Sequence, residues 1–96
     1  MINVIIPFKI SPESLAEAKA VIERFVRQVH LNEKNTILYK SFQHKEDETS
    51  FTHVMTFRDE GAHALHRTSP YLKEFVEGLY PLCSEKPANI YADEIK

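Results

Sequence analysis

The apolar positions of this chain follow two rhythms. From Ile2 to Ile10 they alternate: Ile2, Val4, Ile6, Phe8 and Ile10 form one set, and Asn3, Ile5, Pro7 and Lys9 the other. Successive side chains of a strand point to opposite faces, so the wholly apolar first set predicts a strand over 2–10 with one face turned to a core. Pro7 has no N–H to give to a ladder, which predicts an edge position or a bulge there. The rhythm then changes. Leu15, Ala18, Ile22, Phe25, Val26 and Val29 recur at helical spacing, predicting an amphipathic helix from Pro12 to about Val29 that lies on a sheet. Ser11-Pro12-Glu13 marks its start, with a capping hydroxyl, a proline where no donor is needed and an acid near the positive end of the dipole.

After a polar connection at 30–34, Asn35 to His44 reads as a second strand around Thr36-Ile37-Leu38-Tyr39. Lys45 to Ser50 is a charged turn of hairpin length, and Phe51 to Arg58 a third strand. Asp59-Glu60-Gly61 closes that strand and caps a short helix, Ala62 to Arg67. Ser69-Pro70 repeats the start signal, and a long helix is predicted from Pro70 to about Ser84, with Leu72, Phe75, Val76, Leu79 and Cys83 on one face. Gly78 inside it costs about 1 kcal/mol relative to alanine, and reads either as a close approach to sheet or ligand or as a tolerated accident. Lys86-Pro87 ends the helical run, and Asn89 to Ile95 is a fourth strand. The order β-α-β-β-α-β predicts an α+β, ferredoxin-like sandwich: a four-stranded antiparallel sheet with its helices on one face. The strands carry apolar residues in both alternating sets, Ile5 beside Val4 and Ile6, and Val54 beside Met55. A bare apolar sheet face usually marks an interface, so a homodimer with its two sheets facing is expected.

Composition narrows the classes. Ninety-six residues suit a single domain over 1–96 with a real core. Hydrophobic residues at 43% and charged ones at 27% fit a globular chain rather than a disordered one. A net charge of −2 without a basic cluster argues against a nucleic-acid partner. Val4 to Phe8, the longest uncharged apolar run, is far too short to span a bilayer, so no membrane association is expected. Met1-Ile2-Asn3 lacks the positive start of a signal peptide, and a cytoplasmic location is expected. The single Cys83 has no internal disulfide partner and reads as a buried thiol packing as a small hydrophobe. Two glycines are too few for a phosphate-binding loop.

The stretch from Phe57 to Phe75 brings a strand end, a histidine-bearing turn and a helix start to one spot. The run Phe57-Arg58-Asp59-Glu60, then Ala62 to His66, then Thr68-Ser69-Pro70-Tyr71-Leu72-Lys73-Glu74-Phe75, resembles the antibiotic biosynthesis monooxygenase family. That family shows an aromatic at the end of its third strand, then a histidine, a small polar pair and a phenylalanine-bearing helix. Asn35 to Tyr39 resembles the family's second strand, including its tyrosine. The resemblance implies a dimeric α/β barrel in which each protomer holds a small cavity, and hence a small-molecule substrate. Members include cofactor-independent quinol and anthrone oxygenases, haem-degrading enzymes and a quorum-signal isomerase, so fold and family leave the reaction open. The chain departs from the family in having no tryptophan, Ile6 where haem-degrading members carry asparagine, and Met55 where many members carry glutamate. These departures weaken the haem-degrading reading and remove one acid/base candidate from the oxygenase reading.

Without metal or flavin, an oxygenase needs an electron-rich substrate, a base tuned near neutrality, donors for a developing oxyanion and apolar walls. His66 is the first candidate base; the bland alternative is a structural histidine at the Thr68-Ser69 break. His53 shares its strand face with Phe51, Met55 and Phe57, and is a second catalytic candidate or a satisfied core residue. Tyr39 is a candidate donor or is bonded to nearby backbone. Met55, Phe57, Tyr71 and Phe75 are expected to contact substrate, Tyr71 as a gate unless it is simply exposed. No cofactor is expected. His63 and His66 stand three apart but have no third ligand in a recognised pattern, so no metal is expected. The leading reading is a cofactor-independent oxygenase of a phenolic or quinol-like molecule. The alternatives are a non-catalytic dimeric barrel binding a hydrophobic small molecule, and an isomerase on a small signalling metabolite, which would need a more polar pocket.

Overall fold

The computed structural model describes residues 1–96. Its centre is β1, Ile2–Ile10, flanked on one side by β3, Ser50–Phe57, and beyond it by β2, Thr36–Gln43. On the other side β1 pairs with two short strands, β4 (Cys83–Glu85) beside Lys9 and Ile10 and β5 (Ile90–Ala92) beside Asn3 to Ile5. Every pairing is antiparallel, and the order β2-β3-β1-β4 is that of a ferredoxin-like α+β fold. Three helices complete it: α1, Leu15–Asn32; α2, Glu60–Arg67; and α3, Pro70–Leu79. The molecule is only 17 Å across its short axis, the depth of one sheet and one helical layer.

Alternation decides what is buried. Val4, Phe8 and Ile10 of β1 and Phe51, Met55 and Phe57 of β3 lie under the helices, against Ala18, Ile22, Phe25 and Val29 of α1 and Phe75 and Leu79 of α3. Each large side chain so buried contributes roughly 1.5–3 kcal/mol of transfer free energy. The other sheet face carries Ile5, Phe42 and Ile90, all exposed. No helix is long and apolar enough to cross a membrane.

Several boundaries differ from the sequence expectation. α1 is preceded by a 3₁₀ turn at Pro12–Ser14, the Ser11 side chain makes no cap bond, and the helix continues past Val29 to Asn32. β1 is a central strand; Pro7 lies in the stretch from Ile6 to Phe8 that neither β4 nor β5 pairs. α3 stops at Leu79 because Pro81 has no N–H to give to the preceding turn, which tightens into a 3₁₀ turn over Tyr80–Leu82. Cys83 therefore begins a strand, half-buried, instead of ending the helix. Pro87 lies between β4 and β5; the expected fourth strand, Asn89 to Ile95, is the shorter β5, and β4 forms at the expected end of the helix. Gly78 faces α1 rather than the sheet: a Cβ there would meet Val21 at 3.6 Å, an ordinary contact.

Candidate functional site

A cavity of about 140 Å³ lies between the sheet and the α2–α3 elbow. Val4, Ile6 and Phe8 of β1 and His53 and Met55 of β3 form its floor, Leu72, Phe75 and Val76 of α3 its roof, and Tyr39, His63, His66 and Arg67 its polar wall. Pro87 and Asn89, in the break between β4 and β5, reach its rim. Three wider surface grooves lie elsewhere: an open one of about 600 Å³ between α1 and β2, one of about 340 Å³ between the end of α1 and the start of α2, and one of about 180 Å³ between α1 and α3. The chemistry converges on the enclosed cavity.

Local sequence sets this geometry. On β3 the two-residue period turns His53 and Met55 inward together, and register places Tyr39 opposite Met55 and Ile6 opposite His53. Asp59 accepts from Ala62 N (2.9 Å) and so starts α2 close behind the strand. Ser69 accepts from Leu72 N (3.2 Å) while its hydroxyl donates to His66 O (2.8 Å), fixing the elbow between α2 and α3. The His66 backbone serves that elbow; its ring points elsewhere.

His66 Nδ1 lies 2.9 and 3.2 Å from the two carboxylate oxygens of Glu33, the residue after α1. The Glu33 side chain is 1% exposed, and it also accepts from Thr36 Oγ1 and Tyr71 Oη. Burial pushes its carboxyl upward, but bonds from His66, Thr36 and Tyr71 and the charge on His66 outweigh this and hold it below the usual carboxylate range. The ionised carboxylate can only accept, so Nδ1 carries the proton and Nε2 is the nitrogen left for the cavity. In the same contact, burial and the Glu33 carboxylate push the Tyr71 phenol up to about 12.

His53 is arranged in the opposite sense. Its Nδ1 lies 3.0 Å from Tyr39 Oη. Burial, then the Glu33 charge, pushes the Tyr39 phenol far above its usual range, so it keeps its hydrogen, and His53 Nδ1 is its one acceptor. That network assigns the His53 proton to Nε2. Nε2 is the one buried side-chain polar atom without a partner. Burial, reinforced by the charge on His66, lowers His53 to about 4, and the ring is neutral at physiological pH. The Tyr39 ring stands between the two imidazoles, 5.7 Å from His53 and 5.6 Å from His66. One cavity thus holds a nitrogen able to take a proton and a neutral N–H able to donate one hydrogen bond.

Of the residues singled out in the sequence, His66, His53, Tyr39, Met55 and Phe75 meet at this cavity. Phe57 is fully buried and packs on the rings of His63 and His66 at 5.0 Å instead of lining it. Tyr71 faces the α1–α3 groove and reaches the site only through Glu33. His63 also lines the cavity, with its Nε2 3.4 Å from Tyr91 Oη. Sequence reasoning missed Glu33 by reading it as part of a polar connection. One signal was available: an acid closing a helix stands at the negative end of the dipole, an unfavourable place that calls for a cationic or donor partner.

The sequence profile of the antibiotic biosynthesis monooxygenase family matches residues 1–78. No curated protein matches the sequence. Among solved structures, a protein described as an antibiotic biosynthesis monooxygenase superposes with a TM-score of 0.91 at 18% identity, all of both chains being covered. Rv0793 from Mycobacterium tuberculosis gives 0.88 at 16% identity, covering 99% of this chain and 95% of its own. A conserved protein from Methanosarcina mazei Go1 gives 0.88 at 21% identity, covering 98% and 92%. At these identities the likeness is one of fold.

Proposed function

The chain belongs to the antibiotic biosynthesis monooxygenase family, and on that premise we propose that it is a cofactor-independent monooxygenase of a phenolic or quinol-like small molecule. The observation that carries this reading is the pair of imidazoles with opposite roles at one enclosed, largely apolar cavity. His66 Nε2 takes the proton of a substrate hydroxyl, and the carboxylate of Glu33 stabilises the imidazolium that forms. His53 Nε2–H donates to the substrate oxygen on which negative charge gathers, and Tyr39 holds that imidazole in the donating tautomer. Met55 and Phe75 wall the ring and keep water from the anion.

The electron balance closes without a bound redox group. A hydroquinone anion gives four electrons to O₂ in all: one oxygen atom forms a C–O bond at a ring carbon, and the O–O bond breaks. The other oxygen leaves as water, and the product is a hydroxyquinone. The four electrons come from loss of two hydrogens from the diol and replacement of one C–H by C–OH.

The assembly proposed with this activity is a homodimer of residues 1–96 with the bare sheet faces together. Register sets Ile5 beside Val54 and Ile90, and Pro7 in line with Thr52 and Phe42. Exposures of 36% at Ile5, 50% at Phe42 and 49% at Ile90 leave large apolar side chains on that face for a second copy to cover. The unpaired Cys83 suits the reducing cytoplasm.

The test is oxygen consumption by the purified protein with a panel of dihydroxyaromatics, with and without a chelator. Turnover that survives chelation and falls about 10²–10⁴-fold in His66→Ala supports the reading. No consumption across the panel overturns it.

A further inference from the structure

We propose that the cavity selects phenols and hydroquinones with a single ring, held at two points by His66 Nε2 and His53 Nε2–H, and excludes fused-ring ones. The phenolic class of the ligand rests on the oxygenase reading; the ring count rests on the cavity. Its volume is about 140 Å³, and a dry apolar cavity of about 150 Å³ is filled by one benzene ring. Expansion is opposed by what surrounds it. Phe75 of the roof is stacked on Phe25 of α1 at 4.1 Å, and Phe8 of the floor meets the His53 ring edge-on at 4.9 Å. All three phenylalanines are buried, and close-packed interiors of this kind do not swell to admit a second ring.

Polar geometry adds the second restriction. His53 Nε2 is buried without a partner, and a ligand oxygen that accepts from it satisfies a donor the protein leaves open. His66, on the other side of the Tyr39 ring, offers Nε2 to a hydroxyl. A single ring bearing two oxygens answers both nitrogens at once. Most of the remaining lining is apolar, so a ligand without polar groups fills the space but leaves His53 unpaired.

Binding, not turnover, tests this. Calorimetry under anaerobic conditions would compare para-hydroxybenzaldehyde, one ring with a hydroxyl and a carbonyl, with a hydroxynaphthaldehyde, its two-ring counterpart. Expected are at least about 10-fold tighter binding of the single ring, a loss of about 10-fold in His53→Phe, and about 10-fold tighter binding of the two-ring compound in Phe75→Ala. Should Phe75→Ala fail to fold by circular dichroism, Phe8→Leu enlarges the floor instead. Equal or tighter binding of the two-ring compound by the unaltered protein overturns the inference, as does binding of neither. Single-ring binding with no oxygen consumption by hydroquinones leaves the size selection standing and removes the oxygenase reading. Faster oxygen consumption with fused-ring than with single-ring quinols does the reverse.

Discussion

Glu33 can only accept hydrogen bonds when ionised, and this fixes the proton of its neighbour His66 on the nitrogen that faces it. Replacing the carboxylate by an amide keeps the shape but lets an NH₂ group face Nδ1, which favours the wrong tautomer. Glu33→Gln is therefore expected to lower turnover by up to about 10⁴-fold with little change in KM, measured by steady-state oxygen uptake. A fall in KM-dependent binding alone would contradict the positioning role. His53 supplies a second test, through stability. Burial lowers it from 6.5 to about 4 in the folded chain, so between these values the unfolded chain binds the extra proton. Its contribution is complete above about pH 6.5 and is lost as pH falls through about 4, amounting to about 3 kcal/mol at most. Glu33, lowered below its ordinary 4.5, adds a loss beneath that value with the same sign. Urea midpoints measured from pH 7 to pH 4 should fall, and His53→Asn should flatten the upper part of that fall. An unchanged slope in the variant would assign the effect elsewhere.

Between the elements, the closest helix–helix seam is that of α1 and α3, where Gly78 faces Val21. A methyl group fits there at ordinary contact distance, and no positive φ requires glycine. Gly78→Ala is expected to stabilise the fold by about 0.5–1 kcal/mol, through helix propensity and a smaller unfolded-state entropy. Thermal unfolding would show it as a rise of a few degrees; a fall would mean that the seam has no slack. The site itself depends on junctions between elements. The Ser69–His66 bonds set the angle at which α2 meets α3, and the break at Pro87 leaves Pro87 and Asn89 at the cavity rim.

As a whole the molecule is one sheet with helices on one side, and its other side is exposed. Covering Ile5, Phe42 and Ile90 with a second copy removes apolar surface from water at roughly 25 cal/mol per Å². Ile5→Glu puts a charge at the middle of that face without touching the core. Light scattering after gel filtration should move from a dimer mass to a monomer mass, with circular dichroism unchanged. A dimer that survives the substitution would place the interface on another surface.

Local signals, the two hydrophobic periods and the cap at Asp59, determined the secondary structure of β1, α1, β2, β3 and α2 to within a few residues, since each is a property of neighbouring residues in the chain. Alternation also put His53 and Met55 on one strand face, while the register of β2 on β3 brought Tyr39 to the same side. Proline was legible but misweighed: the apolar period carried the predicted α3 past Pro81, where the missing N–H ended it, and the residues beyond became β4. Only the tertiary structure decided what each histidine does. His66 and Glu33 lie 33 positions apart, His53 and Tyr39 14, and neither partnership has a local signature. A histidine's role follows from which of its nitrogens is bonded and what charge lies beside it. Those are facts of three-dimensional proximity that no one-dimensional period contains.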